Sequence, residues 1–418
     1  AVVVNGTTLI PAQPGRPTFN ISRDVKSAFG ELVVPLFGRD NATTMFRELS
    51  LSLSARYDDY SDVGDTFNPK IGVTYKPVDG IRLRGSWGES FNAPSLADSS
   101  QAALTTGTYL GPIAFLPGFL GFVRPPANLV ANGTYPAPGN FQTILLIGGN
   151  SPGIKPQEAE TLSLGADFEP SFVPGLRFGA TYWKIWLDGR IGLAPFFDRN
   201  LWWNSFGSKI TINPTGQQIT DALAITDSVT GTQCFGLPSN CVYAIFDTRK
   251  TNLGNVRVSG LDFYLNYLRE TGFGSIDFAV SGSYELTRKE SPAPDVAYVD
   301  QLAANFNRFR TSTTLGADIS NLRAQVTWNF RQGYDLSPAA GIVGQTRVDD
   351  FHVFNLFFRY DVKGEGALSD LAFTLNVDNV FDQDPPVDWS VKATASQAGF
   401  GNGSTLGRLI QFGVSKKF

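Results

Sequence analysis

The sequence predicts an all-β protein, a transmembrane antiparallel β-barrel, and three observations carry that expectation. The first is the last stretch, Leu406 to Phe418. Ile410, Phe412, Val414 and Phe418 share one face, while Gln411, Gly413, Ser415 and Lys417 fall on the other; a period of 2 marks a strand with one apolar face. Lys416 interrupts the apolar face, as a residue snorkelling at a bilayer edge does. The second is composition. The 418 residues include 43 Gly and 25 Pro, with 13% aromatic and only 17% charged residues, which suits many turns and a surface poor in charge. No apolar run reaches the roughly 20 residues of a membrane helix, whereas an alternating strand needs about 10 and leaves hydropathy near neutral; mean hydropathy is −0.07. The third is how long and short connections are distributed, which follows from the strands.

Residues 1–23 hold several Pro and no sustained period, and read as a loop; a chain starting on Ala with no signal peptide is expected to be a processed or truncated one. Alternation begins at 24–36. In 46–59, Leu49, Leu51, Leu53, Ala55 and Tyr57 alternate with serines, Arg56 and Asp58. The next strand is 67–76, and Pro77-Val78-Asp79-Gly80 is a turn signal. In 81–91, Ile81, Leu83, Gly85, Trp87 and Phe91 oppose Arg82, Arg84 and small polar residues. Segment 92–157 is rich in Gly, Pro, Asn and Thr and reads as a long loop. Strands 158–169 and 176–187 follow, then a second long segment, 188–252. Strands then come quickly, at 254–269, 273–289, 305–318, 321–332, 348–361 and 370–380. The clearest sets Leu322, Ala324, Val326, Trp328 and Phe330 against Asn321, Arg323, Gln325, Thr327, Asn329 and Arg331, as a wall between lipid and water requires.

With the last stretch this makes thirteen strands. If the last runs down to the periplasm, segments 92–157, 189–252 and 381–405 all lie at the outer end, and short turns near 77–80, 170–174, 270–272 and 319–320 lie at the other. Long outer loops with short periplasmic turns are the outer-membrane pattern. An odd count in an architecture of even strand numbers predicts the C-terminal part of a larger barrel. Aromatic residues fall in two belts, Tyr57, Trp87, Phe91, Trp328, Phe330 and Tyr334 toward the outer ends and Tyr75, Phe168, Phe358, Tyr360 and Phe418 toward the inner ones. Net charge of −4 leaves no basic footprint, so nucleic acid is not an expected partner.

Several stretches together resemble the C-terminal barrel of TonB-dependent outer-membrane receptors. They are Arg56-Tyr57-Asp58-Asp59-Tyr60-Ser61-Asp62, Phe67-Asn68-Pro69-Lys70-Ile71-Gly72, and Tyr75-Lys76-Pro77 through Arg84-Gly85-Ser86-Trp87-Gly88 to Phe91-Asn92-Ala93-Pro94-Ser95-Leu96. Further on come Ile154-Lys155-Pro156-Gln157-Glu158, Leu164-Gly165, Val258-Ser259-Gly260-Leu261-Asp262, Asp378-Asn379-Val380-Phe381-Asp382 and Gly407-Arg408 to the end. Each is weak alone; order and spacing make the set specific, over roughly residues 24–418. The resemblance implies a barrel of about 22 strands with a plugged lumen, of which this chain is expected to supply the last thirteen. It also implies import of a scarce ligand with energy passed through TonB. The implied partners are outer-membrane lipid, an N-terminal plug domain, the TonB complex and the outer-membrane assembly machinery, which would read Phe418 as its signal. The plug and the TonB box are not among these residues.

Candidate sites come each with a plainer alternative. Phe196, Phe197, Trp202, Trp203 and Phe206 form an aromatic run in the second long segment. Rings on loops make good ligand anchors, but the same rings suit an interface belt or a loop packed on itself. Arg82, Arg84, Arg308, Arg310, Arg323 and Arg331 face the lumen on this register. They suit an anionic ligand, pairing with lumenal carboxylates such as Asp277 and Glu285, or contact with the plug; Arg82 and Arg84 join the aromatic run as candidate ligand contacts. Asp58, Asp59, Asp62 and Asp65 cluster near an outer turn, an oxygen-rich set for a hard cation or a solvated turn. Cys234 and Cys241 bracket CFGLPSNC, read as a small disulfide loop in an oxidising compartment, against two unrelated thiols. His352 is the sole histidine and reads as an interface residue. One His leaves little for triad or zinc chemistry, so neither an enzyme, a metal centre nor a cofactor is expected. A lipase-like barrel and a passive porin or adhesion barrel are the competing functions. Ferric siderophore, cobalamin, oligosaccharide and peptide stay open as ligands.

Overall fold

The computed structural model describes residues 2–4, 7–10, 22–98, 105–110, 124–138, 142–194, 199–231, 241–293, 296–303, 306–336, 344–363, 370–388 and 405–416. Eighteen of its strands concern the function. They are β1 (Val25–Phe37), β2 (Glu48–Tyr60), β3 (Gly64–Lys76), β4 (Ile81–Asn92), β5 (Thr106–Leu110) and β6 (Thr143–Gly148), then β7 (Gln157–Phe168), β8 (Leu176–Asp188), β9 (Ile210–Ile212), β10 (Ser228–Thr230), β11 (Val242–Asp247) and β12 (Val256–Thr271). The last six are β13 (Gly274–Glu290), β14 (Phe309–Ile319), β15 (Leu322–Arg331), β16 (Phe351–Asp361), β17 (Leu371–Asp378) and β18 (Leu409–Lys416). Three helices join them, α1 (Ala127–Ala131), α2 (Arg199–Ser205) and α3 (Gly216–Ala224).

Thirteen of these strands form one antiparallel meander in the order β18-β17-β16-β15-β14-β13-β12-β8-β7-β4-β3-β2-β1. All thirteen are the strands the alternation predicts. Among the described residues β1 and β18 do not pair with each other. Within residues 1–23, expected as loop, Val2–Val4 and Thr7–Ile10 pair as a short hairpin.

The cross-strand register shows why alternation makes a two-faced wall. Val326 lies opposite Leu315 on one side and Leu356 on the other, and Leu356 opposite Val377, so one face is apolar through four strands. The neighbouring row, Gly316, Gln325 and Phe357 to Asn376, then Gln411, belongs to the other face and is mostly polar. On the apolar face Leu164 is 51% and Leu315 50% exposed. In water such a sheet would leave its largest apolar surface uncovered; hydrocarbon removes that cost. Toward one end this face carries a belt of rings. Phe309 packs on Phe330 at 5.8 Å, Trp328 stacks on Phe354 at 6.1 Å, and His352 stacks on Trp328 at 5.9 Å and 7°. Trp328 Nε1 donates to His352 Nδ1 at 3.2 Å, so the lone histidine is a member of the belt.

Short connections lie at the opposite end. There Gly175 has φ +86°, and a Cβ on it would lie 1.9 Å from the Leu268 carbonyl oxygen, so the turn into β8 admits no side chain. At the belt end, segments 93–156 and 189–255 do not stay open loops. Their described residues fold together into a second unit, here termed the cap.

Candidate functional site

The cap is a five-stranded sheet in the order β9-β11-β6-β5-β10. β11 runs parallel to β6, and β10 parallel to β5; the other two pairings are antiparallel. The two central strands do not alternate. Ile144, Leu145 and Ile147 of β6, and Val242, Tyr243, Ala244, Ile245 and Phe246 of β11, are all buried. A strand covered on both faces reads as a continuous apolar run.

Two layers cover it. On one face α2 lays Trp202 and Trp203 against Phe246, at 6.1 and 5.7 Å, both near perpendicular, and Tyr135 abuts Trp203 at 4.8 Å. Phe206 stacks on Trp202 at 5.6 Å. On the other face Ile219 of α3 meets Leu145, Ile147, Val242 and Ile245. Helix α3 starts on a capping box, in which the Thr215 hydroxyl accepts from Gln218 N and Gln218 Oε1 accepts from Thr215 N. The Tyr243 hydroxyl donates to the Pro136 carbonyl at 2.8 Å, and burial pushes its pKa up to about 12, so the phenol stays protonated. Arg249 grips Asp247 through two hydrogen bonds of 2.9 and 2.8 Å, with Lys209 3.8 Å away. Burial opposes ionisation of Asp247, but the Arg249 hydrogen bond and both cations hold its pKa below the ordinary carboxylate value.

A neck joins cap to wall. Asn252 Oδ1 accepts from Lys155 N at 2.7 Å, and its Nδ2 donates to the Lys155 and Gly189 carbonyls at 2.8 Å each. One amide therefore ties the exit of the first segment to both ends of the second. Lys250 Nζ pairs with Asp98, which also accepts from Ser95 at 2.8 Å, and Asn150 Nδ2 donates to the Ala97 carbonyl at 2.8 Å. Thus Ser95 and Lys155, within two of the stretches that carry the family resemblance, are neck residues.

The polar face of the wall is a ladder of ion pairs. Arg84 bonds Asp167 at 3.1 Å and Thr181 at 2.8 Å, and Tyr264 donates to the same Asp167 at 3.0 Å. Arg323 bridges Asp277 and Asp318; Arg288 holds Glu285, Arg359 holds Asp361 and Arg56 holds Asp58. Asp277 is thus an arginine partner as expected, while Glu285 serves Arg288, an arginine outside the expected set. Asp58 and Asp62 are each taken by an arginine, the latter by Arg23. Among the described residues no group of three or more His, Cys, Asp or Glu is placed to hold a metal ion.

Among the described residues the expected ligand contacts, Trp202 and Trp203 on one hand and Arg82 and Arg84 on the other, are not brought together. Trp202 and Trp203 are 0% and 1% exposed, the packing that the plainer alternative of a loop folded on itself describes. Their contact area is spent on Phe246, Phe206 and Tyr135. Phe196 and Phe197 lie outside the described residues. Arg84 is occupied by Asp167, and Arg82 lines a recess of about 660 Å³ beside the short turns, with Arg177 and Tyr264, at the end of the wall away from the cap. Cys241 is buried and disulfide-bonded; Cys234 lies outside the described residues, as does Phe418. The signal that could have found the cap is the unbroken run Thr143–Gly148 together with Val242–Phe246, which a search for alternation passes over.

A sequence profile described as TonB dependent receptor-like, beta-barrel, matches residues 4–380. No curated protein matches the chain in sequence. Among solved structures, a mutant ferric enterobactin receptor of Pseudomonas aeruginosa in complex with enterobactin superposes with a TM-score of 0.60 at 15% identity, covering 97% of this chain and 48% of its own. The siderophore receptor PirA of Acinetobacter baumannii gives 0.58 at 15%, covering 95% and 46%. The FrpB iron transporter of Neisseria meningitidis gives 0.54 at 14%, again covering 95% and 46%. At such identity the likeness establishes the fold, and this chain spans about half the length of each.

Proposed function

This chain belongs to the TonB dependent receptor-like β-barrel family, and we propose that it forms wall and outer mouth of a receptor that imports a scarce ligand across the outer membrane of a Gram-negative bacterium. Siderophore, cobalamin, oligosaccharide and peptide are the ligand classes considered; the siderophore and iron receptors among the similar structures make a ferric siderophore the first to try. The observation that carries the reading is the two-faced wall with, among the described residues, a folded cap at one end. An apolar outer face fits lipid, a neutralised polar face fits a water-filled or plugged lumen, and a rigid cap at the mouth fits selection of what enters. On this reading a plug domain and the TonB complex supply gating and energy, and the assembly machinery inserts the barrel.

The test is uptake. Cells carrying the gene should accumulate a labelled ferric siderophore, or another of the candidate ligands, and lose this on deletion of the gene. Accumulation should also stop when TonB is deleted or the proton gradient is collapsed. Uptake that persists unchanged without TonB and without the gradient would identify a passive pore instead.

A further inference from the structure

Most arginines on the polar face are matched, and the exceptions are informative. Arg310 of β14 and Arg331 of β15 lie directly opposite each other in register. Neither makes an ion pair or side-chain hydrogen bond among the described residues, unlike Arg84, Arg288, Arg323 and Arg359. Like charges facing each other across two strands oppose pairing, so the juxtaposition is one a sheet does not adopt for its own stability. The neighbouring carboxylate, Glu285, is already held by Arg288 through two hydrogen bonds, and Arg308 spends its guanidinium on the Leu302 carbonyl. Asp262 lies in the same cross-strand row, but the strand carrying Ser283 separates it from Arg310.

The two guanidiniums line a recess of about 420 Å³ with Ser281, Ser283, Ser312 and Asn329. The residues around the pair thus add hydroxyl and amide donors and no negative charge. A guanidinium presents a planar fork of N–H donors that matches the oxygens of a carboxylate or phosphate, and two forks side by side with hydroxyls flanking them suit one such group. The recess lies toward the end of the wall that carries the aromatic belt and the cap, since Arg310 is the second residue of β14 and Arg331 the last of β15.

We propose that Arg310 and Arg331 form an oxyanion site on the lumenal wall, which takes a carboxylate or phosphate group of a solute entering from the cap end. This rests on the import reading and narrows it to cargo that carries such a group. The two sources share the chemistry, and the probes separate them.

The test uses protein purified in detergent from membranes of its host and titrated calorimetrically with citrate or inorganic phosphate, sodium chloride keeping ionic strength constant. Saturable binding of at least one probe is expected. Citrate alone would name a carboxylate site, phosphate alone a phosphate site. Arg310→Gln with Arg331→Gln should weaken it at least tenfold with the melting temperature unchanged. Arg39→Gln, an exposed arginine in the turn after β1, should bind as the parent does. Arg310→Lys with Arg331→Lys keeps charge without the forks and should fall between, which separates an oxyanion site from a diffuse positive field. Binding of neither probe beyond the chloride background, or full binding by the Gln pair, overturns the proposal. Either result leaves the import reading to its own test, because TonB-dependent uptake of a neutral ligand would still stand.

Discussion

Wall and cap solve the same problem, the removal of apolar surface from water, in opposite ways. In the cap Trp202 is 0% exposed, Phe246 0% and Leu145 0%, because helices sandwich a sheet that is apolar on both faces. In the wall Leu164, Leu315 and Phe373 stay from one-third to one-half exposed, with only neighbours in the same sheet to touch. The cap carries its solvent-free interior with it. The wall borrows one from the bilayer, and its polar face is balanced by ion pairs rather than by packing. The difference teaches where mutations should act: cap residues through the cavities they leave, wall residues through which solvent they meet.

The largest effect should come from the cap core. Trp202→Ala with Trp203→Ala removes both rings that flank Phe246. Each large-to-small change in a packed core costs about 3–5 kcal/mol, and together they exceed what a unit of this size holds. Limited proteolysis should cut within 93–156 and 189–255 while the wall keeps its heat resistance. Loss of the wall together with the cap would join the two regions into one cooperative unit and break the comparison. Ligand binding should fall with cap integrity; binding that falls while the cap stays protected would restore the rings as contacts.

The next effect belongs to the wall. Leu315→Arg puts a charge mid-strand on the apolar face, at about 2–4 kcal/mol in a bilayer. Asn376→Arg, on the polar face, should cost far less. Refolding into lipid vesicles with urea titration measures both. Equal costs would mean that the two faces meet the same solvent.

These contrasts also explain what was legible in the sequence. Thirteen wall strands were readable because lipid on one side and water on the other stamps a period of 2 on residues such as Leu322 to Arg331. The cap was not, because a strand buried on both faces loses that period, and Val242–Phe246 is an unbroken apolar run inside a segment otherwise rich in polar and turn residues. The Trp pair stands out for its density, but density of rings is shared by ligand mouths and cores, and the ring both pack on, Phe246, comes some forty residues later in the sequence. Arginine partners were half legible. Asp277 could be named from the shared face, whereas Arg288, three residues from Glu285, lies just past a register shift between β12 and β13, where Leu286 is the extra residue, and the alternation rule misses it.

A smaller effect tests whether the two regions are hinged or fused. Asn252→Ala removes three hydrogen bonds from the neck and leaves the Lys155 and Gly189 backbone groups to water. Partly exposed groups recover most of that loss, so about 1–3 kcal/mol is expected. Hydrogen exchange should quicken at the neck amides of Lys155 and Ile191 and leave the β11 core protected. Faster exchange throughout β11 would mean that the cap core depends on its anchor.

The smallest effect is one of pH. Burial works against ionisation of Asp98, but hydrogen bonds from Lys250 and Ser95 and the Lys250 charge hold its pKa below the ordinary carboxylate value. A carboxylate with a lowered folded pKa contributes stability that is fully present above the unfolded value, about 3.9, and is lost as pH falls through the folded one. Asp247 has the same sign, from Arg249 and Lys209. The neck and the cap edge should therefore hold steadily from neutral pH to about 5 and loosen only below about 4. Lys250 is one-third exposed, so the anchor's share is about 1 kcal/mol. The measurement is proteolysis at the neck by an acid-active protease at pH 6 and pH 3, with Asp98→Asn as reference. The parent should become as labile as the variant at pH 3 and be the more resistant at pH 6. A parent that loosens already between pH 7 and 5 would place the sensitive group elsewhere. If the parent matches the variant at both values, the Asp98–Lys250 pair holds nothing, and the neck is held by its amides, Asn252 on Lys155 and Gly189 and Asn150 on Ala97.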